Sequence, residues 1–279
     1  MIQAHQQFDF QGKKIFEKAV LQPPFRIPVE MPNEACFYYI VSGCAEVISP
    51  TARIIGEADE GIVLQCGNYF NDYLNAVEGE MCEAVAIHLY PEILKLIYDK
   101  EFPDFLLEVK NVKPIRHEKI VGSDLMKNYV EGLKYYFENP SLVSDELIKL
   151  KLKELILLLA KTDNAETIRM LIAGLFAPAE LDFKEIIEAN LYNNLGLEEL
   201  AHLAGLSLSS FKREFVKHYE QSPAKYIKQR KLAKAAKLLK ATELRISEVA
   251  YECGFVDLAH FSKSFQQFYH ISPSNYRLD

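Results

Sequence analysis

The spacing of hydrophobic residues changes near residue 90. From Ile15 to about Leu89, short apolar runs rich in β-branched and aromatic residues, such as "CFYYIVSG" and "EAVAIHLY", are interrupted by Gly, Pro, Asn and Asp. After Pro91 the apolar residues recur every three or four positions, which is the spacing of amphipathic helices. The pattern predicts a small β-sandwich or β-barrel followed by helices.

Three helices are predicted between residue 118 and Pro178. The first covers 118–139, the second opens at Ser144 as its N-cap, and the third contains "AETIRMLIAGLF". The second helix has a wide leucine stripe, "SDELIKLKLKELILLLAKTD". This stripe suits either packing on the β-domain or pairing with a second subunit, and the pairing alternative predicts dimerisation through Leu147, Leu155 and Leu158.

A sixteen-residue pattern is written twice in the last third of the chain. "FKREFVKHYEQSPAKY" at 211–226 shares six residues with "FSKSFQQFYHISPSNY" at 261–276, each displaced by 50 positions. Upstream, "EELAHLAG" and "SEVAYECG" match with an offset of 49, so the second copy has one extra residue in its turn. A short helix, a Gly-containing turn and a second helix form a helix-turn-helix unit, and two units in register predict a DNA-binding domain.

The segment between the two copies, "SPAKYIKQRKLAKAAKLLKAT", predicts a linker helix that begins at Pro223 after the cap Ser222. A helix of roughly 18 residues is about 27 Å long, comparable with one turn of B-DNA. Such a helix could hold two reading helices in successive major grooves of one duplex.

The stretch "ISEVAYECGFVDLAHFSKSFQQFYHISPSNYR" resembles the signature of the AraC/XylS family of bacterial transcription regulators, and the resemblance extends from Asp182 to the end of the chain. It implies an α+β protein with a cupin-like regulatory and dimerisation domain at 1–178 and an all-α DNA-binding domain at 179–279. It also implies promoter DNA and RNA polymerase as partners, a homodimer, and more often an activator than a repressor.

The outward residues of the second helix in each unit are the candidate DNA contacts. Arg213 is the strongest candidate for base recognition, because a guanidinium donates two hydrogen bonds to one guanine. The second copy has weaker polar residues and is expected to contact mainly phosphate. The candidates are Ser209, Ser210, Lys212, Arg213 and Lys217 in the first unit and Ala259, His260, Ser262, Lys263 and Gln266 in the second.

Charge is distributed unevenly along the 279 residues, whose formal net charge is −7. Residues 181–279 have a net charge of +2 and residues 1–180 a net charge of −9. The acidic half is therefore expected to lie away from DNA and to act through dimerisation or by masking the basic half. No apolar run reaches the roughly 18 residues of a membrane span, and the first residues lack the features of a secretory signal, so a cytoplasmic protein without a membrane partner is predicted.

The sequence offers little for catalysis or metal binding. Five cysteines form no CxxC pair, and no phosphate loop or Cys/His/Glu grouping appears, so we expect no enzyme and no cofactor; a DNA-binding repair or sensor enzyme with a reactive cysteine is the alternative. His5, His88 and His117 are too far apart for a metal site, and His88 is expected to be a satisfied residue in a strand.

The regulatory signal is left open by the sequence. It could be a small molecule in the β-domain or a protein on its surface. An aromatic group in the predicted strands suits either a ligand pocket or ordinary packing, with packing favoured. Its members are Tyr38, Tyr39, Tyr69, Phe70 and Tyr73.

Overall fold

A computed structural model describes residues 1–74, 80–98, 116–176 and 182–278. The chain divides into two compact units, Met1–Glu180 and Leu181–Asp279. The boundary proposed from the sequence, between 178 and 179, and the predicted helix end at Pro178 lie outside the described residues.

The first unit contains ten β-strands in its described residues. The first strand begins at Ile2, so the β-region starts earlier in the chain than the sequence pattern indicated. The strands are β1 (Ile2–Phe10), β2 (Lys13–Leu21), β3 (Phe25–Met31), β4 (Ala35–Ser42), β5 (Cys44–Ile48), β6 (Arg53–Glu57), β7 (Glu60–Leu64), β8 (Gly67–Leu74), β9 (Cys82–Leu89) and β10 (His117–Ile120).

These strands form two antiparallel sheets, one of six strands in the order β1-β2-β9-β4-β7-β10 and one of four in the order β3-β8-β5-β6. Strand β4 lies inside the larger sheet and is buried on both faces. Cys36, Tyr38 and Ile40 face the core between the sheets, while Phe37 and Tyr39 face a second core. Burial of both faces explains why this strand has a continuous apolar run instead of an alternating one.

Four helices bury their apolar faces in the second core, against the outer face of the larger sheet. They are α1 (Pro91–Tyr98), α2 (Asp124–Glu138), α3 (Asp145–Leu159) and α4 (Ala165–Gly174), with a short 3-10 turn at Pro140–Leu142. The cap side chains of Ser123 and Ser144 accept hydrogen bonds from the amides of Met126 and Leu147. The leucine stripe of α3 packs on the β-domain, which is one of the two alternatives that the sequence left open.

The prediction that a helix begins near residue 118 is wrong. Residues 117–120 pair with β7 as strand β10, which buries Ile120, and the helix begins only after the cap at Ser123. A four-residue strand shows too little alternation to be separated from the helical pattern that follows it.

The predicted dimer surface needs correction at Leu155. This side chain is 0% exposed and belongs to the core between α3 and the larger sheet, and Leu147 and Leu158 are partly buried. The leucines of α3 that point to solvent are Leu150, 63% exposed, and Leu157, 53% exposed. The stripe is wide enough to occupy two faces of the helix, and the sheet covers the one that contains Leu155.

The second unit is entirely helical in its described residues. Its helices are α5 (Phe183–Asn190), α6 (Leu197–Leu203), α7 (Leu208–Tyr219), α8 (Pro223–Ala241), α9 (Ile246–Glu252), α10 (Leu258–Tyr269) and α11 (Pro273–Leu278). The predicted α+β layout, with two helix-turn-helix units joined by a linker helix, is confirmed. No helix within the described ranges has the length and hydropathy needed to cross a membrane.

Candidate DNA-binding surface

The two helix-turn-helix units are built alike. Four residues separate α6 from α7 and five separate α9 from α10, which accounts for the extra residue predicted from the change of offset. Each turn contains a glycine with a left-handed backbone, Gly205 at φ 67° and Gly254 at φ 76°. Ser207 caps α7 and Asp257 caps α10 through hydrogen bonds from backbone amides.

The repeated aromatic residues form the interior of each unit. The Phe215 ring centroid lies 4.5 Å from that of Tyr219 and 5.6 Å from that of Tyr226 on α8. The equivalent distances around Phe265 in the second copy are 4.7 and 5.3 Å. The repeated aromatic residues therefore pack the second helix of each unit against the helix that follows it.

The ten predicted contact residues lie on the outward faces of α7 and α10. Ser210 and Ser262 are half-buried, and the other eight are exposed. Exposure is necessary for contact with DNA and does not by itself establish it, so these residues remain predictions.

Local contacts distinguish the charged residues of α7. The Arg213 guanidinium donates to Ser210 Oγ at 3.1 Å, which orients it along the start of the helix. Lys217 and His218 instead contact Glu214 at 2.9 and 3.0 Å, and the Lys217 hydrogen bond, which is the largest effect, lowers the pKa of Glu214. Because the Lys217 ammonium group is paired with the Glu214 carboxylate, it is less available to DNA than the Arg213 guanidinium. Arg213 therefore remains the better candidate for base recognition.

The cations on the linker helix α8 differ in their contacts, which the sequence could not show. Lys231 Nζ donates to the Gly254 carbonyl at 2.8 Å and Lys234 Nζ to the Glu252 carbonyl at 2.7 Å. These bonds fasten α8 to the carbonyl end of α9, where cations are favourable. Arg230 contacts Glu188 at 3.0 Å. Lys225, Lys228 and Lys237 on the same helix are exposed.

Replacing Lys231 by Met is expected to destabilise the second unit by about 1–3 kcal/mol, because the Gly254 carbonyl loses a buried partner. Burial lowers the pKa of Lys231, which shows that the ammonium group is partly removed from water. Lys228→Met on the exposed side of the same helix is the matched control. Calorimetric melting of the two variants in the full chain measures the difference, and equal melting would contradict a structural role for Lys231.

Four of the five cysteines do not favour nucleophilic chemistry. Burial raises the pKa of Cys82 and of Cys253 to about 11 and also raises the pKa of Cys36 and Cys44. A raised pKa disfavours the thiolate, the reactive form. Across the described ranges, no cluster of three or more His, Cys, Asp or Glu side chains is arranged to hold a metal ion.

Comparison with known proteins finds family models for both parts of the chain. A helix-turn-helix domain model matches residues 200–279, and a model of the ExsA N-terminal regulatory domain matches residues 35–171. The transcriptional activator AarP of Providencia stuartii is 36% identical over 92 residues, which are 33% of this chain and 68% of AarP. The chain belongs to the AraC/XylS family of transcription regulators.

Two further helix-turn-helix regulators match this chain over different lengths. The regulator GbdR of Pseudomonas aeruginosa is 36% identical over 104 residues, which cover 37% of this chain but only 28% of GbdR. The uncharacterised regulator YdiP of Escherichia coli is 28% identical over 271 residues, with 88% of this chain and 78% of YdiP covered.

Proposed function

We propose that the chain is a cytoplasmic, sequence-specific DNA-binding transcription activator that reads two successive major grooves with α7 and α10. The observation that supports this most strongly is the pair of complete helix-turn-helix units, whose buried residues repeat in register around the single helix α8. Named relatives include transcriptional activators, and promoter DNA and RNA polymerase are the corresponding partners of this chain.

The two reading helices have different tasks. Helix α7 supplies most of the base recognition through Arg213, with Lys212 and the serines as base or phosphate partners. Helix α10 has the small Ala259 in its first turn and presents Lys263 and Gln266, which suit phosphate contact and positioning. Exposed lysines of α8 add contacts that depend on charge and not on base sequence.

Replacing Arg213 by Ala is expected to weaken specific binding by about 1–3 kcal/mol and to relax preference at one base position. Arg213→Lys should keep the charge but lose most of that preference, because an ammonium cannot form the same paired hydrogen bonds. Selection of binding sites from a random DNA pool measures both effects.

Lys263→Ala is the comparison variant. It should weaken binding to all sequences by similar factors and reduce the slope of binding against salt. An Arg213→Ala protein that selects the same bases as the native protein would refute the assignment of Arg213.

The first unit is proposed to regulate the second through dimerisation. Its net charge of −9 opposes close contact with DNA. The exposed face of α3, with Leu150 and Leu157, is the proposed dimer surface, because the leucines on its other face are already covered by the chain's own sheet.

A further inference from the structure

The extra residue in the turn of the second helix-turn-helix unit is Val256. The amides of Leu206 and Phe255 donate equivalent hydrogen bonds, at 2.9 and 3.0 Å, to an alanine carbonyl of the preceding helix, so these two residues correspond. In the first turn the cap Ser207 follows Leu206 directly. In the second turn Val256 stands between Phe255 and the cap Asp257. The insertion therefore lies immediately before the cap of the second reading helix.

The Val256 side chain is not used to pack this turn. A hydrophobic residue before a helix cap often packs on the first turn of that helix, but here the preceding Phe255 does so. The Phe255 ring is buried, and its centroid lies 5.1 Å from that of Phe261. Val256 is 69% exposed. The chain therefore presents a β-branched apolar side chain to solvent directly before α10.

Apolar residues continue from Val256 into the first turn of α10. Leu258 is 38% exposed and Ala259 is also exposed. We refer to Val256, Leu258 and Ala259 together as the apolar start of α10. The equivalent positions of α7 hold the half-buried Leu208 and the exposed, polar Ser209. The two reading helices therefore begin with different chemistry.

The start of α10 is poorly suited to phosphate contact. The Asp257 carboxylate accepts hydrogen bonds from the amides of Ala259 and His260 at 2.9 and 3.1 Å, so these two donors are occupied. A carboxylate at this position also repels a phosphate group. Helix α7 is capped instead by the neutral Ser207 hydroxyl. A partner that closely contacts the start of α10 is therefore expected to offer apolar groups.

The major groove displays one apolar group on its base edges, the C5 methyl of thymine. The residues at the N-terminal end of a reading helix are those that contact base edges. We propose that the apolar start of α10 contacts thymine methyl groups, so that the second unit selects T·A pairs through Val256 and Leu258. This inference rests on the proposed function, and it adds sequence discrimination to a helix whose polar residues suit phosphate contact.

Deoxyuridine tests the inference because it lacks only the methyl group of thymidine and keeps the same base pairing. The probe is a duplex that the full chain selects from a random DNA pool, with each thymidine replaced in turn. Competition mobility shifts should show about fourfold weaker binding at one or two positions, the factor for burying one methyl group. These positions should lie about one helical turn from the base pair at which Arg213→Ala relaxes selection. The absence of any sensitive position there would overturn the proposal.

Two variants assign the contact to its side chains. Val256→Ser and Leu258→Ser should each bind the thymidine duplex about fourfold more weakly and lose the sensitivity to deoxyuridine at the position contacted. Val121→Ser, at a 64% exposed valine of the first unit, is the matched control and should keep the native pattern. Full sensitivity retained in both α10 variants would refute the assignment. If either variant fails to fold, the deoxyuridine comparison with the native chain still decides.

The outcomes separate this inference from the proposed function. A chain that selects a duplex but is indifferent to every thymine methyl group is still a sequence-specific DNA-binding protein, so only the inference fails. A chain that selects no sequence refutes both. If Val256→Ser binds both duplexes as the native chain does but no longer activates transcription from a promoter carrying the selected duplex, this side chain contacts a protein and the inference is wrong.

Discussion

Gly254→Ala is expected to weaken specific DNA binding by at least about tenfold, whereas Gly122→Ala is expected to leave it unchanged. Both glycines have left-handed backbones, with φ of 76° and 63°, so both substitutions carry the same backbone cost of about 1–2 kcal/mol. They differ in the space available. A Cβ at Gly254 would lie 2.3 Å from the Tyr192 carbonyl oxygen and 2.9 Å from Lys231 Nζ, while a Cβ at Gly122 has nothing within 4 Å.

The Gly254 contact explains why its effect extends beyond the turn. Tyr192 follows α5 and packs in the core of the first helix-turn-helix unit, and Lys231 belongs to α8. A methyl group at Gly254 therefore forces the second helix-turn-helix unit away from Tyr192 and from α8, and this changes the angle at which α10 meets DNA.

Calorimetry and a mobility shift at one salt concentration measure these effects. Gly254→Ala should lower the melting transition of the second unit and reduce DNA affinity by at least about tenfold. Gly122→Ala should lower only the transition of the first unit. Equal DNA affinity in the two variants would show that Gly254 does not position the second reading helix.

The DNA-binding unit could be predicted in detail because its information is local and repeated. Phe211, Phe215 and their counterparts 50 positions later define two buried helix faces, and the glycine in each turn marks where the helices cross. The predicted extra residue in the second turn is found between α9 and α10. One copy alone could be an ordinary helix hairpin, but two copies in register favour two helix-turn-helix units.

Features that depend on distant contacts could not be predicted. Lys231 and Lys228 are three residues apart on one helix, and only the position of the Gly254 carbonyl gives the first a structural role. The same holds for Tyr38 and Tyr73, which pack in the core between the sheets and whose hydroxyl groups meet at 2.9 Å although 35 positions separate them in the sequence. His88 was correctly expected to be a satisfied residue, but its partner Glu34 lies 54 positions away.

Leu155→Lys is expected to unfold the first unit, whereas Leu157→Lys, two residues along α3, is expected to leave it folded and shift it toward monomer. Leu155 is fully buried against the larger sheet, so a lysine there would place an ammonium group in an apolar core without a partner. The expected cost is about 4 kcal/mol or more. Leu157 faces solvent, so its replacement removes only the apolar surface available to a second copy.

Sedimentation of the native chain and of both variants, with calorimetry on the same samples, separates the two effects. Leu157→Lys combined with Leu150→Lys should give a monomer that melts at nearly the native temperature, because neither side chain belongs to the core. Glu154→Lys, on the same exposed face between the two leucines, is the control for added charge without loss of apolar area. If the double variant remains a folded dimer, the exposed face of α3 is not the interface; if the native chain is monomeric with and without DNA, regulation by dimerisation through this helix is wrong.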